Sequence, residues 1–194
     1  MSKAMIKSDA LPDFHWQQEQ RCYVLKSTDK QQMLMLINFV DLSEDEQLKV
    51  WHWRNHEAIR KWMYHTKPFT LKAHLAFLQS LPRRKDKAYF LVRNQHGYLG
   101  VIDFVNIDMF HRSCDFGLYV NPEGVIPGTG SLLEMAGILY AFNELKVDTI
   151  NVDVFFDNQR SLGLHKKFGF NVTGKRLFNE KEIISMQLKK EKAI

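Results

Sequence analysis

Four features of this 194-residue chain carry side chains and glycines at spacings that could do chemistry. The first is Val125-Ile126-Pro127-Gly128-Thr129-Gly130-Ser131, which runs straight into an apolar segment. Glycines let successive backbone N–H groups turn toward one point, and a helix that starts there adds roughly half a positive charge. A diphosphate is the natural guest of such a loop; a plain turn is the alternative. The second is Gly117, inside the apolar run 113–120. A strand-interior glycine marks a bulge or the close approach of another backbone. The main chain of Leu118, Tyr119 and Val120 could then pair with an extended, amide-bearing ligand, or the bulge could only adjust sheet twist.

The third stretch is Asn158-Gln159-Arg160-Ser161-Leu162-Gly163-Leu164-His165-Lys166-Lys167-Phe168-Gly169-Phe170. The fourth feature is a set of aspartates, Asp103, Asp115 and Asp153, each interrupting an apolar run. In 150–155 the alternation turns Ile150, Val152 and Val154 one way and Asn151, Asp153 and Phe155 the other. On a cleft-lining face Asp153 is a candidate general base; otherwise it is a solvated strand carboxylate. Asp103 and Asp115 are the other candidates, with pairing to a lysine at a sheet edge as the alternative.

The elements that must position these residues read as follows. Residues 1–20 are polar and weakly patterned, so 1–33 is expected to be a partly extended arm, followed by one domain over 34–190. Strands are expected at 22–26 and 33–40. Ser43-Glu44-Asp45-Glu46 is a capping box that opens a helix broken near Asn55-His56. A further helix runs from Thr70 to Pro82, with His74 beside its apolar stripe. Three hairpin-linked strands fill 88–120. Then come the glycine loop and a helix, a strand at 149–156, a short helix at 158–168 and two last strands. This order gives an α+β fold around one mixed sheet.

Composition narrows the function classes. A hydrophobic content of 45% supplies a sizeable core and argues against disorder. No apolar run approaches the ~18 residues of a membrane span, and the start lacks the apolar stretch of a signal peptide, so the cytoplasm is expected. Cys22 and Cys114 read as reduced thiols. Eight histidines without metal-ligand spacing predict no metal. The net charge of +5 suits an anionic small ligand; the basic run 83–87 lacks the aromatics of a nucleic-acid site.

The 158–170 stretch resembles the closing motif of the GNAT N-acetyltransferases, with the glycine loop in its expected place before it. The likeness covers about residues 34–188. Within that superfamily, Trp53-Arg54-Asn55-His56, Trp62-Met63-Tyr64 and residues 71–78, with the strand segments 89–92, 99–104 and 116–119, resemble the N-acetyltransferases of pseudaminic acid biosynthesis. The resemblance implies a central mixed, mostly antiparallel sheet flanked by helices. It implies acetyl-CoA as cosubstrate, held by Leu118, Tyr119, Val120, Val125, Pro127, Gly128, Thr129, Gly130, Ser131, Asn158 and Arg160. The acceptor it implies is the 4-amino group of a UDP-linked 4-amino-4,6-dideoxy sugar, contacted by Arg54, His74, Asp103 and Tyr119. Asp153 falls at the position of the family's base. His165 stands where the superfamily has a tyrosine that protonates the leaving thiolate, and a histidine can donate a proton too. Val125 stands where Arg or Gln is usual, which shifts diphosphate binding onto backbone N–H groups. The sequence is compatible with a homodimer.

Overall fold

The computed structural model describes residues 14–19, 22–27, 33–124 and 126–190. Nine strands form one sheet. In chain order they are β1 (Phe14–Glu19), β2 (Cys22–Ser27), β3 (Met33–Asn38), β4 (Ala88–Asn94), β5 (Gly97–Asp108), β6 (Ser113–Val120), β7 (Thr149–Phe155), β8 (Asn171–Phe178) and β9 (Lys181–Lys189). Across the sheet they lie β1-β2-β3-β4-β5-β6-β7-β9-β8. Every neighbouring pair is antiparallel except β6 and β7, which run parallel.

Five helices flank the sheet: α1 (Glu44–Asn55), α2 (Glu57–Arg60), α3 (Leu71–Ser80), α4 (Thr129–Asn143) and α5 (Gln159–Lys167). The expected capping box holds, with Ser43 and Glu46 exchanging side-chain and backbone hydrogen bonds. The expected break also holds. His56 caps α2, its Nδ1 accepting from the Ala58 N–H.

Alternation along the strands sorts side chains onto two faces. One carries Phe90, Ile102, Phe104, Phe116, Ile150 and Val152 and is covered by α4 and α5. The other carries Leu91, Val101, Tyr89 and Tyr119 beneath α1 and α3. Asp103, Tyr119 and Asp153 lie on this second face, and Arg54 comes to it from α1.

At the N-terminus, residues 14–19 of the partly extended arm pair along the full length of β2, and β2 pairs with β3. The strand expected to reach Val40 stops at Asn38, whose side chain accepts the Val40 N–H and turns the chain into a short 3-10 segment.

Candidate active site

The site begins where the sheet fails to close. β6 and β7 pair only through Ser113–Asp115 and Thr149–Asn151; beyond that point they separate. The Asn121 N–H donates to the Leu99 carbonyl on the β5 side. By strand alternation, Leu118 and Val120 therefore turn their backbone groups away from β5 and into the gap. Because β6 and β7 are parallel, the helices that follow them, α4 and α5, both begin at the open end.

The start of α4 is bare. Gly128 is its N-cap with φ +88°, a left-handed conformation that a β-branched side chain resists, and no side chain caps the helix. The buried Thr129 sends both its N–H (3.2 Å) and its hydroxyl (2.8 Å) to the Ile126 carbonyl. Among the described residues the next N–H groups, of Gly130 and Ser131, meet no hydrogen-bond acceptor. Pro127 is exposed at the mouth of the loop, and Val125 lies outside the described residues. A Cβ on Gly130 would sit 3.5 Å from Leu164, so the first turn of α4 packs against the second turn of α5. Asn158 caps α5 by accepting the Ser161 N–H, and Arg160 is exposed beside it. An unpaired strand edge leading to an uncapped helix fits an extended amide-bearing arm that ends in a diphosphate.

On the α1/α3 face, Asp103 lies opposite Gly117 in the β5–β6 register. Gly117 is not a bulge, as the sequence had suggested: pairing is regular across it, and the irregularity falls between Val105 and Asp108. The glycine is required because the Asp103 carboxyl occupies its side-chain space, 2.9–3.0 Å from where a Cβ would stand. Desolvation pushes the Asp103 carboxyl up to about 6, against the pull of Arg54 and Lys87. Arg54, on α1, is half-buried, and burial lowers its guanidinium pKa while Tyr119, Asp103 and Tyr89 work the other way. It stands over the Phe69 ring, and no ion pair among the described residues joins it to a carboxylate. Tyr119, close to both in field, has its phenol held far above the usual range by burial. Arg54 and Asp103 thus lie within each other's field on the α1/α3 face, with no ion pair between them among the described residues.

Asp153 is different. It lies on the face the alternation predicted, but both oxygens are taken. Oδ2 accepts from Tyr64 (2.9 Å) and Arg176 (2.7 Å), and Oδ1 from Ser185 (2.6 Å). Desolvation would raise this carboxyl, yet the bonds from Ser185, Arg176 and Tyr64 outweigh it and hold it below its ordinary value. Such a group is a poor proton acceptor. It anchors Tyr64, whose ring lies between Phe155 and Phe178, to the far wall of the gap. Asp115 is likewise engaged, accepting from Asn106 (2.7 Å) and Asn151 (3.3 Å).

Neither histidine is placed as expected. His74 is 4% exposed, and its Nε2–H donates to the Gln47 carbonyl, tying α3 to α1. Burial lowers its pKa. His165 is also 4% exposed. Its Nδ1 meets Glu134 Oε1 at 2.8 Å and its Nε2 meets Ser161 Oγ at 3.2 Å. With both nitrogens committed, the ring does not itself reach the gap.

Sequence reasoning missed Ser185, which strand register sets opposite Asp153, and Arg176, which reaches it from β8. It also missed Glu134, although a lone charge in the apolar run 132–142 was a readable signal of a buried partner.

An open mixed sheet with a groove at its one parallel joint and a bare helix start beside it defines an acyl-CoA N-acyltransferase. The chain matches the Acetyltransferase (GNAT) domain over residues 34–171 and belongs to that family. It is an acetyl-CoA-dependent N-acetyltransferase. It is similar to Acetyltransferase PseH of Campylobacter jejuni, 41% identical over 140 residues, which span 72% of this chain and 86% of that protein. The crystal structure of C. jejuni N-acetyltransferase PseH in complex with acetyl coenzyme A superposes with a TM-score of 0.66 at 34% identity, covering 81% of this chain and 99% of that one. Spermidine N-acetyltransferase from Vibrio cholerae, at 18% identity and a TM-score of 0.73 over 80% of this chain and 95% of that one, shares the fold.

Proposed function

We propose that this enzyme acetylates the 4-amino group of a UDP-linked 4-amino-4,6-dideoxy sugar, the step that N-acetyltransferases of pseudaminic acid biosynthesis perform. The observation that carries the reading is the pair Arg54 and Asp103 on the α1/α3 face, within each other's field and, among the described residues, joined by no ion pair. A guanidinium fork grips a diphosphate by two parallel hydrogen bonds. A carboxyl that titrates near neutrality takes a proton from an ammonium or attacking amine. The likeness to PseH supports the same acceptor.

Acetyl-CoA lies in the groove, with its pantetheine along the β6 edge and its diphosphate on the Gly130 and Ser131 N–H groups. The inward N–H groups of Leu118 and Val120 are available to polarise the thioester carbonyl. Asp103 takes the amine proton, directly or through water, as the new C–N bond forms. The C–S bond then breaks, and the thiolate leaves with a proton. Both substrates are cytoplasmic metabolites, which sets the compartment in this reading. The Asp153–Tyr64–Arg176 cluster shapes the opposite wall.

The test is steady-state kinetics of Arg54→Ala with acetyl-CoA and the UDP-sugar. Losing a charge-assisted contact of about 1.5–3 kcal/mol raises the KM for the sugar roughly 10- to 100-fold and leaves that for acetyl-CoA near its wild-type value. Equal changes in both constants would mean that Arg54 holds structure, and absence of turnover by the wild-type chain would dismiss this acceptor.

A further inference from the structure

We propose that Asn55 and Phe69 are positioning residues for the Arg54 guanidinium: Asn55 clamps the backbone of Phe69, and the Phe69 ring holds the guanidinium ready for the acceptor's diphosphate. The claim rests on the reading of Arg54 given above and deepens it.

Arg54 needs such a support. Among the described residues its guanidinium has no hydrogen bond and no ion pair, and Tyr119, Asp103 and Tyr89 act on it only through their field. A long side chain in that state samples many rotamers, and ordering it on binding costs affinity. What meets its head is aromatic: the guanidinium carbon stands over the Phe69 ring, 5.9 Å from the centroid. The ring quadrupole attracts a planar cation and uses none of its N–H donors, which stay available to a phosphate.

Phe69 belongs to no helix or strand. It lies in the connection between α2 and α3, one residue before the Thr70 cap. No ladder fixes it there, and Pro68 beside it has no N–H to offer. The end of α1 supplies the missing partners. Asn55 Oδ1 accepts the Phe69 N–H at 3.0 Å, and Asn55 Nδ2 donates to the Phe69 carbonyl at 3.0 Å. Trp51 Nε1, one turn earlier on the same helix face, donates to that carbonyl at 3.0 Å. One side-chain amide thus pairs both backbone groups of a single residue, as a neighbouring strand would. The ring also meets His74, with centroids 6.0 Å apart, and His74 is itself bonded to the Gln47 carbonyl of α1.

Arg54 and Asn55 are consecutive residues of α1. The residue that carries the cation and the residue that clamps its ring neighbour therefore share one rigid element. A clamp that only tethered the loop would act alike on both substrates; a clamp acting through Arg54 acts on the acceptor alone.

The probes are the UDP-sugar in turnover and UDP in calorimetry. Phe69→Leu keeps apolar bulk and every backbone bond but removes the ring face. It should raise the KM for the sugar and the Kd for UDP about 3- to 10-fold, with kcat and the KM for acetyl-CoA near wild type. Asn55→Ala should move the same two constants in the same direction, and Phe69→Tyr, which keeps the ring, should retain the wild-type values. In an Arg54→Ala background Phe69→Leu should add nothing, because the group through which it acts is gone. Additive effects, parallel rises in both KM values, or an unchanged sugar KM in Phe69→Leu would overturn the positioning role. If Arg54→Ala itself spares the sugar KM, the diphosphate reading falls and takes the positioning role with it. If Arg54→Ala raises it and Phe69→Leu does not, only the positioning role falls.

Discussion

Replacing Asp103 by asparagine should make the protein more stable and much less active. The folded carboxyl titrates at about 6 against an ordinary 3.8, a difference of about two units. At 1.36 kcal/mol per unit, ionising it in the folded state costs about 3 kcal/mol. Because the group still reaches solvent, roughly half that is the safer lower figure. Below pH 3.8 the acid is protonated in folded and unfolded chains alike, and Asp103→Asn gains nothing. As pH rises through about 6, the folded wild type must ionise against burial, and the advantage of the variant grows to about 1.5–3 kcal/mol. For a domain of this size that is a rise in Tm of roughly 3–10 °C at neutral pH. The assay is a series of urea or thermal melts from pH 4 to 8, paired with kcat/KM profiles. Loss of the base should lower kcat by ~10² or more, and the acid limb near pH 6 should vanish with it. A stability gap that is flat across the pH series, or an acid limb that survives in Asp103→Asn, would refute the assignment.

Gly117→Ala should act on the same group without touching its chemistry: its Cβ would stand 2.9 Å from the carboxyl, so a displaced Asp103 should lower kcat while circular dichroism stays native. Gly128→Val combines φ +88° with a branched Cβ and should weaken acetyl-CoA binding by calorimetry at least tenfold, with little change in sugar KM. Asp153→Asn disturbs a three-donor clamp, so it should lower stability by about 1–3 kcal/mol in denaturant melts. Its kcat should fall by less than that of Asp103→Asn.

The sequence shows the order of elements well because each is written in local chemistry: the Ser43–Glu46 box, the His56 break, the glycine loop and the alternation that faces Asp153 away from Val152. The N-terminal strand escapes this reading because 14–19 is polar, and its place is set by pairing with β2. The site is less legible for a related reason. Whether Asp103 or Asp153 stays free depends on what register sets opposite each: Gly117 for the first, Ser185 for the second. His74 and His165 are expected at the site only from the family resemblance. Their partners, the Gln47 carbonyl and Glu134, lie 27 and 31 residues away along the chain, beyond the reach of motif spacing.

The short parallel joint also bears on how the molecule holds together. β1 to β6 and β7 to β9 are each continuous antiparallel sheets, and only three register pairs stitch one to the other. A clasp at the closed end reinforces them: the Asp148 and Thr149 N–H groups both reach the Arg112 carbonyl, and Arg112 pairs with Asp148 at 2.6 Å. The opposite end is unstitched. A ligand lying there takes up the backbone groups that a strand would otherwise have used, and so completes the sheet. The cosubstrate is then a structural member as well as a reagent, and cohesion between the two halves rises with acetyl-CoA concentration by mass action.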